Sequence, residues 1–189
     1  MSTESDKLNP QQSLELIQAM INQAQGNVRD NSFYYLFWGW VIAAAQLGSF
    51  ILQQIDFDYP YAVWLIIPLA WVVTFIYASR QARQAGSSSH LDKINMTLWI
   101  CFGVFAMTVP MMGHFINYQI DAVILLGGSL ATFTSGVVLK FRPLRVGGLL
   151  MYAAAVACFF IPAEFRSLLA AAAVAGGYLA PGYLLQRQK

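Results

Sequence analysis

Between Phe33 and Leu185 the chain runs through six apolar stretches, none with an Asp, Glu, Lys or Arg in its middle. A bilayer's hydrocarbon is about 30 Å thick and a helix rises about 1.5 Å per residue, so one crossing takes about 20 residues. Each stretch is close to that length, and the backbone groups of a chain in hydrocarbon must be satisfied internally, which helices do within a single segment. The expected fold class is therefore all-α: a polytopic membrane protein with six transmembrane helices arranged as three helical hairpins, plus an N-terminal amphipathic helix. A hydrophobic content of 58%, a charged content of 11% and a mean hydropathy of +0.53 agree, since soluble domains carry about 25% charged residues.

The spans are expected at 33–52, 60–79, 96–115, 120–139, 144–161 and 168–185. Turn chemistry sets their bounds: Asp30, Asn31 and Ser32 before the first, Pro60 opening the second, Pro143 before the fifth and Pro162 before the sixth. This divides the chain into a segment 1–32, a membrane domain 33–185 and a tail 186–189. The polar, slightly acidic start lacks the basic and apolar regions of a signal peptide, so the N-terminus is expected in the cytoplasm. With that orientation all of the eleven Lys and Arg except Arg166 fall on cytoplasmic segments, and Asp56, Asp58, Asp121 and Glu164 fall outside. Both termini then face the cytoplasm. Gly39 with Gly48-Ser49-Phe50-Ile51 echoes Gly103 with Gly113-His114-Phe115-Ile116 one residue out of register, a hint of hairpin duplication.

Residues 10–29 have the pattern of an amphipathic helix. Asn9, Pro10 and Gln12 form a start signal, and Leu14, Ile17, Ile21, Ala24 and Val28 recur at spacings of three and four opposite Glu15, Gln18, Asn22, Gln25 and Arg29. Gly26-Asn27 is expected to end this helix or bend it. Two roles fit the face: lying on the membrane surface or under the bundle, or docking a protein partner or a second copy through a heptad-like seam. The segment 1–32 has four acids against Lys7 and Arg29, which favours protein contact over a grip on anionic lipid.

Candidate chemistry is sparse. His114 is the one ionisable side chain expected within a span, and Asp121 opens the helix that returns from it. Together they form a candidate outer-side pair able to relay protons or sense external pH, set against a plain interfacial role for each. Gln46, Thr108, His114 and Thr134 are a candidate polar path for a solute, with Pro68, Pro110 and Pro181 as kinks. Gly39-x-x-x-Ala43, Ala44-x-x-x-Gly48, Gly128-x-x-x-Thr132-x-x-x-Gly136 and Ala173-x-x-x-Gly177-x-x-x-Pro181 are small-residue stripes that let helix backbones approach. No metal-ligand spacing, carboxylate pair, nucleophile elbow or phosphate loop is present, so no catalytic residue, metal or cofactor is expected. Basic residues follow topology and form no patch, so the expected partners are the lipid bilayer and a protein, with no nucleic acid.

The stretch Ser13-Leu14-Glu15-Leu16-Ile17 with Ser32-Phe33-Tyr34-Tyr35-Leu36-Phe37-Trp38-Gly39-Trp40 resembles the N-terminal signature of small uncharacterised bacterial multi-pass proteins. The resemblance implies the bacterial inner membrane and carries no activity. In number of hairpins alone the chain is similar to the HdeD-type acid-stress membrane proteins. The leading expectation is a non-enzymatic accessory, sensor or scaffold subunit, and the alternative is a permease or channel for a small neutral or lipid-like solute.

Overall fold

The computed structural model describes residues 10–84 and 90–187, with side chains from residue 32 onward except those of residues 82, 84 and 90. The chain is an all-α, largely apolar bundle of six helices, consistent with a multi-span membrane protein. In order come α1 (Pro10–Gln54), a 3-10 segment (Pro60–Leu65), α2 (Ile66–Gln84), α3 (His90–Met111), α4 (Ile120–Val138), α5 (Arg142–Cys158) and α6 (Ala163–Val174). A π-helical segment (Ala175–Leu179) then joins α6 to α7 (Ala180–Arg187). Five stretches are long and apolar enough to cross a membrane: Ser32–Gln54, Pro60–Gln81, Leu91–Met111, Ile120–Val138 and Ala163–Arg187. The remaining helix, α5, has 17 residues, at the short end of what can cross.

Prolines account for most departures from the expected bounds. Pro68 has no N–H to offer the Trp64 carbonyl and its ring crowds that group, so the chain enters α2 through a 3-10 turn and not through α-helix from Pro60. Pro162 disfavours helical geometry at Ile161, and α5 stops at Cys158. Pro110 stands in the last turn of α3, which ends at Met111, so His114 lies in the turn beyond the helix and not within the span. Asn117 and Tyr118 take left-handed backbone there (φ 52° and 57°) to reverse the chain into α4. Pro181 similarly lacks a donor and crowds the carbonyl of Gly177, and the wider π turn around Gly176-Gly177 absorbs the mismatch without breaking the span.

The largest difference lies at the N-terminus. The helix expected over 10–29 and the span expected over 33–52 are one unbroken helix of 45 residues, passing through Gly26-Asn27 without a stop. The side chains of Leu14, Ile17, Ile21, Ala24 and Val28 lie outside the described residues, and so does Asn9.

Packing follows the small residues. α4 and α5 make the most extensive contact in the protein, and they do so backbone to backbone. A methyl group built on Gly136 would lie 2.7 Å from the Arg145 amide nitrogen, and one on Gly148 would lie 2.7 Å from that of Phe133. On the other side of α5, Gly147 opposes the Gly177 carbonyl oxygen at 2.8 Å measured in the same way. In hydrocarbon the drive to bury apolar side chains is absent, and such close approach supplies dispersion contact in its place. α1 packs on α6 and α7, and Gly39 receives Tyr178 and Leu179. α2 stands at the margin: among its described side chains only Ala70 is buried. Aromatic contacts hold it, with Phe33 stacked on Tyr77 at 3.9 Å and Trp38 edge-on to Trp71.

Candidate functional site

Two buried polar clusters lie at opposite ends of the bundle. At the end where α3 begins and α4 ends, Trp99 donates its indole N–H to Ser135 Oγ (3.0 Å), and Ser135 donates its hydroxyl to Asn95 Oδ1 (2.7 Å). Asn95 and Trp99 are four residues apart and share one face of α3, while Ser135 occupies the facing side of α4. The rings of Tyr35, Trp99 and Tyr178 surround this chain of bonds, with centroids 5.9 to 6.2 Å apart. The π turn brings Tyr178 to this place from the sixth span. The Tyr35 hydroxyl is buried beside Ser135, Trp99 and Asn95, outside good hydrogen-bond geometry with any of the three. One turn deeper, the Thr132 hydroxyl returns to the Gly128 carbonyl (2.6 Å), which leaves it self-satisfied.

At the other end, Gln46 is buried on α1 and donates its amide to Asp121 Oδ1 at 3.0 Å. Asp121 stands in the first turn of α4, where the positive end of the helix dipole also favours a carboxylate. The other Gln46 amide atom, Oε1, and the hydroxyl of Ser49 one turn along α1 have no partner. His114 is exposed, its ring set against Phe115 and Tyr118.

Of the residues singled out in the sequence, the structure joins Gln46 to Asp121, a pairing the spacing did not indicate. The four candidate path residues do not share an environment: Gln46 is buried, whereas Thr108, His114 and Thr134 are exposed. Thr108 closes its hydroxyl on the Val104 carbonyl (2.9 Å). Asn95 falls one residue before the third span that the hydropathy predicts, 96–115. Its spacing of four from Trp99 was the available signal. Among the described residues no three His, Cys, Asp or Glu come within reach of one metal ion.

A third feature lies on the outside. A groove of about 580 Å³ runs between α1, α2 and α7, lined by Ser32, Phe33, Leu36, Phe37, Trp40, Val41, Tyr77, Tyr183 and Gln186. Trp40 donates its indole N–H to the Tyr183 hydroxyl across it (3.1 Å), and Tyr34 donates to Gln81 Oε1 beside it (3.0 Å).

Comparison with protein-family models, curated proteins and solved structures finds no match to the chain.

Proposed function

We propose that the protein is a non-enzymatic scaffold or accessory subunit that presents the amphipathic N-terminal helix to a partner from a membrane-anchored base. The observation that carries this reading is the continuity of α1. Of its 45 residues the span Ser32–Gln54 takes 23, leaving 22 that extend the same helix by about 33 Å. A helix joined to its span without a turn is aimed away from the bilayer and not laid upon it, which suits docking better than surface adsorption. Positions 14, 17, 21, 24 and 28 recur at the spacing that one side of such a helix takes. The two polar clusters support the same reading: their hydrogen bonds run from helix to helix, which is how polar groups tie a bundle together.

The test is deletion of residues 1–29. The truncated chain keeps every span and is expected to insert and to melt as the full chain does, while its association with the co-purifying partner or second copy is lost. Association that survives the deletion sinks the proposal. So does a truncated chain that is degraded, because the helix is then a structural part of the bundle.

We further propose the bacterial inner membrane with both termini in the cytoplasm, the six spans paired as three outward hairpins. Arg80, Arg83, Lys93, Lys140, Arg142 and Arg187 lie at one end of the bundle with Asp92, and Asp56, Asp58 and Glu164 at the other with Arg166, and the excess of Lys and Arg at the first end is the asymmetry that orients membrane chains. In a variant with Cys101 and Cys158 replaced, a cysteine at position 58 is expected to react with an impermeant thiol reagent in intact cells. One at position 88 is expected to react only after lysis. The reverse order would invert the topology.

A further inference from the structure

The groove between α1, α2 and α7 has the depth of half a bilayer. Its lining on α1 runs from Ser32, the first residue of the span, to Val41, a distance of about 14 Å, against about 15 Å for one leaflet's hydrocarbon. Tyr77 lies near the end of the second span, and Tyr183 and Gln186 near the end of the sixth, so one end of the groove lies at the ends of the spans and the other, at Val41, near the middle of the first. Below a mouth that carries Ser32 and Gln186, its wall on α1 is apolar at Leu36, Phe37 and Val41, and the Trp40–Tyr183 hydrogen bond crosses it at the level of Val41. A volume of about 580 Å³ lies within the range of pockets that hold small ligands.

On two of the three helices a cation follows the lining residues. Arg80 is one turn beyond Tyr77 on α2, and Arg187 is one turn beyond Tyr183 on α7. Both are exposed. Two guanidinium groups beyond the polar end of an apolar slot one leaflet deep match a molecule with a phosphate at the interface and a long chain below it. We propose that this groove is a binding site for one anionic phospholipid, its acyl chain along Leu36, Phe37 and Val41 and its phosphate between Arg80 and Arg187. Bound there, the lipid fills the gap beside α2, the helix least supported by protein contacts.

The test uses the full chain, delipidated in a mild non-ionic detergent and melted with added phosphatidylglycerol or with phosphatidylcholine of the same acyl chains. Phosphatidylglycerol is expected to raise the melting temperature saturably and to leave one lipid per chain in native mass spectrometry. Phosphatidylcholine should be at least tenfold weaker, and the water-soluble headgroup glycerophosphoglycerol should have no effect. The double variant Arg80→Gln with Arg187→Gln is expected to melt as the parent without lipid and to lose the preference for the anionic lipid. Arg142→Gln, at the same end of the bundle but outside the groove, should keep it. A separate variant, Val41→Trp, should weaken retention of the lipid by filling the slot while leaving the arginines in place.

Equal stabilisation by the two lipids overturns the proposal, as does a preference that survives the double arginine variant. An effect of the soluble headgroup equal to that of the lipid would mean a free phosphate site and would overturn it too. Retention unchanged by Val41→Trp would place the acyl chain elsewhere.

Discussion

Gly148→Leu is expected to lower the melting temperature of the purified protein in detergent by about 5–10 °C, while Gly176→Leu leaves it unchanged or raises it. The two glycines are in the same kind of apolar helical segment, and composition does not separate them. Geometry does. A methyl on Gly148 would meet the backbone nitrogen, Cα and Cβ of Phe133 at 2.7 to 2.9 Å, and neither helix can yield there without the α4–α5 contact opening along its length. A methyl on Gly176 meets nothing within 4 Å, and the residue is exposed. There a leucine adds helix propensity and an apolar side chain facing lipid. Gly147→Leu should resemble Gly148→Leu, because its neighbour is the Gly177 backbone. Gly177→Leu meets the buried side chain of Met151 first and the Gly147 carbonyl oxygen at 3.2 Å behind it, so it should destabilise too, by less than Gly148→Leu only as far as the thioether can yield. Equal melting of Gly148→Leu and Gly176→Leu variants would mean that α4 and α5 do not approach as described.

The sequence revealed the spans because hydrocarbon imposes a length and forbids charge, and both constraints are local. The stripes of small residues were legible for the same reason, as a spacing. Which glycine meets backbone, which meets a flexible side chain and which meets lipid is a property of pairs of helices, and no single-helix period contains it. The 3-10 entry to α2 and the π turn before Pro181 were foreshadowed by proline alone, although the direction in which each would be resolved was not.

The continuity of α1 runs against a signal that looked sound. Gly26-Asn27 is a good helix stop in isolation, but a stop also needs a left-handed residue to cap the last carbonyls, and the chain instead carries the helix through to its span. Gln46 was legible as an inward residue, since a long amide in hydrocarbon needs a partner. That the partner would be Asp121, across 75 residues of chain, was not. Thr108 returns its hydroxyl to the preceding turn, and a hydroxyl that can satisfy itself there carries no information about where it points.

Ser135→Ala is expected to cost about 1–2 kcal/mol, read as a fall of about 2–8 °C in melting temperature. The serine hydroxyl both accepts from Trp99 and donates to Asn95, so one small deletion leaves a buried indole N–H and a buried amide oxygen without partners. The cost is moderated in a membrane protein because groups released on unfolding also find partners. Asn95→Leu removes one of those orphans, so the double variant Asn95→Leu with Ser135→Ala should lose less stability than the two single variants added together. Tyr35→Phe supplies the contrast. Its hydroxyl is buried in the same cluster, beside Ser135, Trp99 and Asn95 but outside good hydrogen-bond geometry with them, so removing it gives up little beyond its desolvation cost. The phenylalanine variant should therefore melt at the same temperature as the parent or above it. A loss from Tyr35→Phe as large as that from Ser135→Ala would show that α1 is tied to α3 and α4 through this hydroxyl. The cluster would then join three helices by hydrogen bonds, where the geometry joins two and leaves the first to aromatic packing alone.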